Sequence, residues 1–197
     1  MYLVKTPQLI QSLFPNFTWK IPTQEKAIYL TFDDGPIPEV TPWVMDQLEQ
    51  YNAKATFFCI GKNIAQHGDI FREIIADGHT IGNHTQNHMN AWKSSLKDYL
   101  NNVSNAEVEI EKLLPNRDKK LFRPPYGKIT SRLSGKLLKK QFNIVMWDVL
   151  SADFDTKISK EKCLENVIDN TENGSILVFH DSVKASKNLQ YSLPKVL

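Results

Sequence analysis

Short runs dense in β-branched and aromatic residues alternate along the chain with longer segments whose apolar positions return every three or four residues. Residues 26–32 (KAIYLTF), 53–60, 79–82, 143–147 and 175–179 show the first pattern and predict strands. Residues 40–51 show the second, with Val40, Trp43, Val44, Leu48 and Tyr51 on one face. So do residues 64–76, where Phe71, Ile74 and Ile75 point inward and Asp77-Gly78 supplies the stop. The longest periodic segment is 94–114: Leu96, Tyr99, Leu100, Val103, Ala106, Ile110 and Leu113 recur at helical spacing, and Pro115 ends it. Further helices are expected around 133–140 and 160–170, with a short extended run into Phe122. Such alternation is the signature of βα units on a largely parallel sheet or barrel.

The chemically capable residues fall where strands are predicted to end. Asp33-Asp34-Gly35 follows the first strand, His84 the third, Arg123 the run into Phe122, Asp148 the strand after it, and His180 the last. In βα barrels the catalytic groups gather at the C-terminal ends of the strands, so these sites are expected to converge on one face.

Size and charge narrow the partners. A chain of 197 residues with 41% hydrophobic content supports one substantial core, not two. A net charge of +2 offers no electrostatic basis for a nucleic-acid partner or an anionic membrane surface. Cys59 and Cys163 lie far apart in apolar-patterned stretches and read as buried thiols, neither a disulfide framework nor a cysteine metal cluster. Residues 1–15 lack the basic start, long apolar core and small-residue cleavage site of a secretory leader, and no run is long enough to span a bilayer. The expectation is a cytoplasmic chain by default, with action at the cell envelope left open.

A divalent metal that activates water needs a few fixed nitrogen and oxygen ligands and an open position. Asp34, His84 and His88 could supply them, since GNHTQNH puts two histidines at i and i+4, on one side if the segment makes a helical turn. Solvated or core-bonded histidine pairs also occur at this spacing, and Asp-Gly-Pro is also good turn chemistry. Asp33 and Asp34 point to opposite sides in an extended segment, so one could bind metal while the other works on water. Arg123 opens RPPYG, a rigid loop able to hold its guanidinium against a carboxylate and aim the Tyr126 amide into a pocket. In MWDVLSADFD and VFHD, Asp148, Asp153 and His180 are again at expected strand ends, and His180 suits proton transfer. Trp147 reads as core or pocket wall.

These segments, in this order, resemble the motifs of the polysaccharide deacetylase family, carbohydrate esterase family 4, also called the NodB homology domain. TFDDG (residues 31–35) resembles its first motif, HTQNH (84–88) its second and RPPYG (123–127) its third. Asp153-Phe154 falls where the fourth has Asp-Trp, and Val178-Phe179-His180 where the fifth has Leu-x-His. The resemblance implies a distorted (β/α) barrel with fewer than eight strands over residues 26–197, with residues 1–25 an extension packed on it. Because the chain stops at Leu197, the barrel is expected to lack its last strand, as a C-terminal truncation would leave it. It further implies that Asp33 is the general base, oriented by Arg123, and that Asp34, His84 and His88 hold a divalent metal. Zinc is the favoured ion, with cobalt, nickel, manganese or iron as alternatives. The Tyr126 amide would stabilise the oxyanion, and His180, tuned by Asp153, would be the general acid. The expected activity is metal-dependent removal of acetyl groups from the nitrogen of an amino-sugar glycan. Alternatives on the same fold are deacylation or deformylation of a small amide or glycolipid, and non-catalytic sugar binding. Phe154 for tryptophan and Val178 for leucine keep an apolar wall but alter its shape.

Overall fold

The computed structural model describes residues 2–197. Seven strands form one all-parallel sheet: β1 (Tyr29–Asp33), β2 (Thr56–Cys59), β3 (Thr80–Asn83), β4 (Lys120–Phe122), β5 (Phe142–Ile144), β6 (Val149–Leu150) and β7 (Ile176–His180). Their order across the sheet is β5-β4-β3-β2-β1-β7-β6. The sheet curls into a distorted, incomplete barrel whose two edge strands are separated in sequence only by residues 145–148.

Eight helices accompany the strands among the described residues: α1 (Gln8–Leu13), α2 (Val40–Gln50), α3 (Gly61–Gln66), α4 (Gly68–Ala76), α5 (Leu96–Leu113), α6 (Ser131–Lys139), α7 (Lys160–Ile168) and α8 (Ser186–Val196). The segment expected as one helix over 64–76 is two, because His67 (φ −130°, ψ 50°) leaves helical geometry between α3 and α4. Several helices begin on a side-chain cap. The Ser95, Thr130 and Ser159 hydroxyls accept the otherwise unpaired amides of Asp98, Leu133 and Lys162. The stretch expected as a strand over 143–147 pairs only to Ile144; the chain then crosses to β6, so Asp148 precedes a strand and does not follow one.

The core is buried on both sides of the sheet, as parallel sheets require. Phe32 of β1 lies between Phe57 of β2 (ring centroids 5.2 Å apart) and Phe179 of β7 (6.1 Å), an aromatic row across the three central strands. All three rings are fully buried, and burial of a side chain of that size contributes about 1.5–3 kcal/mol. Gly82 has no room for a side chain, because a Cβ would collide with the Phe58 ring.

The N-terminal segment runs over the gap between the sheet edges. The Thr6 amide donates to the Asp148 carbonyl and Val4 accepts from the Leu150 amide (both 2.8 Å), while Thr18 exchanges bonds with Ile144 and Met146. Lys5 Nζ anchors it, lying 2.7 Å from the buried Asp148 carboxylate and 3.0 Å from Glu172. Asp148 also accepts from Ser175 Oγ (2.6 Å), which precedes β7. This places Asp148 at the end of the barrel opposite His180. The expected convergence therefore does not include Asp148; it is a structural anchor.

Candidate active site

Strand register aligns the remaining residues. Asp33 pairs with Phe58 on one side and His180 on the other. Cys59 pairs with Asn83, and Asn83 with Phe122. The residues next in sequence, Asp34, His84 and Arg123, thus leave their strands at one rim. They surround a cavity of about 600 Å³, lined by Asp33, Asp34, His84, His88, Tyr126 and His180, with Trp147, Leu150, Phe154 and Val178 as apolar wall.

Both carboxylates of the DDG turn face that cavity, which corrects the expectation from an extended backbone. Asp34 has φ 88°, so the chain turns at that residue and swings its side chain to the same side as Asp33. His84 Nε2 then lies 3.8 Å from Asp34 Oδ1 and 3.9 Å from Asp33 Oδ2. The turn is fixed from below: Asp181 Oδ1 accepts the Gly35 amide (3.0 Å), Oδ2 accepts the Thr41 hydroxyl (2.6 Å), and Asn63 Nδ2 donates to the Asp34 carbonyl (2.7 Å). A Cβ at Gly35 would collide with the Asp181 carboxylate, so glycine is required there.

The HTQNH segment is a turn and not helical, with positive φ at Thr85 (67°) and His88 (56°). It still brings the rings of His84 and His88 within 5.1 Å, because α5 holds the loop. Asn102 Oδ1 accepts the amides of Gln86 (2.8 Å) and Asn87 (3.3 Å). Asn83 accepts the Thr85 amide (2.9 Å) and donates to Glu107 (3.1 Å), which is ion-paired with Arg117.

One ligand atom each from Asp34, His84 and His88 lies within 4.8 Å of the others, a candidate metal site. The donors fit a divalent cation. The Arg123 carbonyl accepts from His84 Nδ1 at 2.8 Å, which puts the proton on that nitrogen and leaves the Nε2 lone pair facing the cavity. Burial pulls the His84 pKa down to about 4 in spite of the nearby carboxylates, so the imidazole is neutral, as a ligand must be. Asp34 Oδ1 is buried with no hydrogen-bond partner among the described residues, and His88 Nε2 lies 3.3 Å from it.

Asp33 and Arg123 form a buried pair beside this site. Arg123 Nη1 donates to Asp33 Oδ1 and to Thr31 Oγ1 (both 2.7 Å), Nη2 to the Met146 carbonyl (2.9 Å), and the guanidinium lies 4.1 Å over the Phe58 ring. Burial would raise the Asp33 pKa; the charge and hydrogen bond of Arg123, with the charge of His180, outweigh it and hold the carboxyl below its ordinary value. On the neighbouring strand, His180 Nδ1 donates to Asp153 Oδ1 and its backbone amide to Asp153 Oδ2 (both 2.7 Å). Burial opposes the charge on His180, but Asp153, helped by Asp34 and Asp33, lifts the imidazole pKa to about 9. Tyr126 has φ 61° and lines the cavity, its hydroxyl 3.1 Å from His88 Nδ1, and no partner for its amide N–H is found among the described residues.

All the residues singled out by the motifs, Asp33, Asp34, His84, His88, Arg123, Tyr126, Asp153 and His180, thus meet around one cavity. Sequence reasoning missed several others. Thr31 and Asp181 sit inside the quoted segments TFDDG and VFHD and could have been found there. Asn63, Asn102 and Tyr2 act from distant elements and carry no local signal.

Comparison with known proteins agrees with this geometry. The family model described as polysaccharide deacetylase matches residues 20–145. A peptidoglycan-N-acetylglucosamine deacetylase of Bacillus cereus is 34% identical over 91% of this chain and 84% of its own length. A second from that organism is 37% identical over 82% of this chain, which spans only 58% of it. A chitooligosaccharide deacetylase of Azorhizobium caulinodans is 34% identical over 82% of this chain and 77% of its own. Among solved structures, a peptidoglycan N-acetylglucosamine deacetylase bound to a naphthalenyl N-oxidanyl-benzamide superposes with a TM-score of 0.82 at 32% identity, over 92% of this chain and 86% of that one. Bacillus subtilis PdaA, a family 4 carbohydrate esterase, gives 0.82 at 25% identity, over 96% and 81%. Motifs, fold and relatives agree: the chain belongs to the polysaccharide deacetylase family.

Proposed function

We propose that this chain removes N-linked acetyl groups from an amino-sugar glycan by metal-dependent hydrolysis, acting on N-acetylglucosamine-containing polymers of the peptidoglycan or chitin type. The observation that carries the reading is a candidate metal triad, Asp34, His84 and His88, in a cavity also lined by an ionised Asp33 and an imidazolium, His180. A base and an acid beside an electrophile-binding centre are what amide hydrolysis demands, since water must lose a proton and the amine must gain one.

The family is metal-dependent, and Asp34, His84 and His88 would hold the ion. Bound there, a divalent cation supplies Lewis acidity, polarising the acetyl carbonyl and lowering the pKa of water from ~15.7 toward ~7. Two imidazoles and a carboxylate suit zinc, with cobalt, nickel, manganese and iron as competitors. Asp33, kept charged by Arg123, takes the proton of the attacking water. Arg123 has the further task of fixing the carboxylate, leaving Oδ2 directed toward His84 and the cavity. The Tyr126 amide donates to the oxygen of the tetrahedral intermediate, which adds preorganised stabilisation of developing charge. His180, protonated at neutral pH, gives its proton to the departing amine. Leu150, Val178, Trp147 and Phe154 supply an apolar wall for the acetyl methyl.

The test is acetate release from N-acetylglucosamine oligomers and from peptidoglycan fragments by metal-stripped protein, before and after reloading with zinc or cobalt. Metal-dependent release is expected. Oligosaccharide binding by folded, metal-loaded protein without any acetate release would replace the enzyme reading with a sugar-binding module.

A further inference from the structure

The cavity wall beside His180 contains a residue that comes from outside the segment matched by the family. Tyr2 lines the cavity, although the family match begins at residue 20. Its ring meets Phe154 edge-on at 5.5 Å, and Phe154 in turn meets the His180 imidazole edge-on at 4.9 Å. The Tyr2 hydroxyl donates to Asp155 Oδ2 at 2.7 Å. Burial and that carboxylate push the phenol pKa up to about 12, so it stays a donor across the working range.

The segment that delivers Tyr2 is fixed, not dangling. Val4 and Thr6 hydrogen-bond to Leu150 and Asp148 along β6, with Lys5 pairing antiparallel to Val149. Lys5 clamps its far end to Asp148, Glu172 and the Asn170 carbonyl. An extended segment held in this way places Tyr2 at the rim where His180 emerges. The Tyr2 ring extends the aromatic wall beyond Phe154.

We propose that the N-terminal segment is part of the substrate-binding groove, with Tyr2 a specificity-determining residue that supplies an aromatic surface for an N-acetylated sugar and seats Phe154 against His180. Aromatic rings with a polar tip suit such a site: the ring offers apolar surface to the C–H face of a pyranose, and the tip is fixed by a hydrogen bond. The inference rests on the deacetylase reading for the identity of the ligand, and on Tyr2, Phe154 and Asp155 for its geometry.

Tyr2→Ala, Tyr2→Phe and Asp155→Ala in the full chain test it. KM and kcat are measured for acetate release from tetra-N-acetylchitotetraose and from a peptidoglycan tetrasaccharide, and Kd for both by calorimetry on the metal-free protein. Tyr2→Ala should raise KM and Kd about 3- to 10-fold, the scale of losing one aromatic contact, with a smaller change in kcat. Tyr2→Phe and Asp155→Ala, which keep the ring and lose only its tether, should fall between Tyr2→Ala and wild type. KM and Kd of Tyr2→Ala within twofold of wild type would overturn the proposal. If wild type binds the tetrasaccharides and releases no acetate, the hydrolase reading fails while the Kd series still decides the role of Tyr2. If it neither binds nor cleaves them, both fall together.

Discussion

Replacing Asp153 by asparagine should move the proton of His180. In the native protein the imidazole titrates at about 9 instead of the ordinary 6.5, with Asp153 the main group opposing the effect of burial. A difference of that size corresponds to roughly 3 kcal/mol in favour of the charged ring. Asparagine removes the charge and turns one acceptor of the pair of 2.7 Å bonds into a donor facing the His180 amide. With desolvation then unopposed by its main partner, the ring should titrate at or below ~6.5. At pH 7.5 the protonated fraction would fall from about 97% to about 10% or less, so turnover by a His180 proton donor should drop about tenfold. The alkaline limb of the pH–rate profile should retreat to neutral or lower pH. The stability consequence has a defined window. Because the folded-state pKa lies above the unfolded value, the pair's contribution is complete below pH ~6.5 and is lost as pH rises through about 9. The Asp153→Asn penalty in urea unfolding should therefore be largest in mild acid, shrink between pH ~6.5 and ~9, and be nearly absent above that. NMR titration of the His180 ring in metal-free protein, with the pH–rate profile of the loaded enzyme, reads both. A His180 ring that still titrates near 9 in Asp153→Asn would refute the reasoning.

Other perturbations follow from the same geometry. Arg123→Leu leaves Asp33 as an uncompensated buried charge and should cost about 3–5 kcal/mol in chemical denaturation. Asn102→Ala releases the Gln86 and Asn87 amides that hold the histidine loop and should weaken zinc binding about tenfold, measured by competition with a chromogenic chelator. Gly35→Ala forces its Cβ into the Asp181 carboxylate and should lower stability by about 1–3 kcal/mol, visible as a reduced melting temperature.

The periodicities located most helices and central strands, because amphipathic stripes and buried aromatic runs are properties of local sequence. Residues 40–51 and 94–114 correspond closely to α2 and α5. Fine backbone geometry was less legible. The positive φ of Asp34, Thr85 and His88 is imposed by tertiary contacts from Asp181, Asn63, Asn83 and Asn102, and no periodic pattern encodes it. Regular backbone would put Asp33 and Asp34 on opposite faces and His84 and His88 on a helical turn; the folded chain brings all four to one cavity by a different geometry. Asp148 was misplaced because the apolar run of residues 143–147 hides the crossing from β5 to β6, and only the pairing partners separate the two strands. The site motifs were readable because each lies next to a strand end, where register alone aligns it with its neighbours. Tyr2 was invisible for the converse reason: its place in the cavity depends on an N-terminal segment that carries no motif and joins the sheet through an isolated antiparallel bridge.

Asp33 as base beside a metal held by other residues is the centre of the proposed mechanism. Asp33→Asn preserves shape and removes the base, so the direct measurement is acetate release and bound zinc in that variant, side by side with wild type. Zinc retained at wild-type stoichiometry with acetate release reduced by about a thousandfold or more is the expected result, in line with loss of a positioned base. Acetate release near the wild-type rate, or zinc lost together with activity, would contradict it.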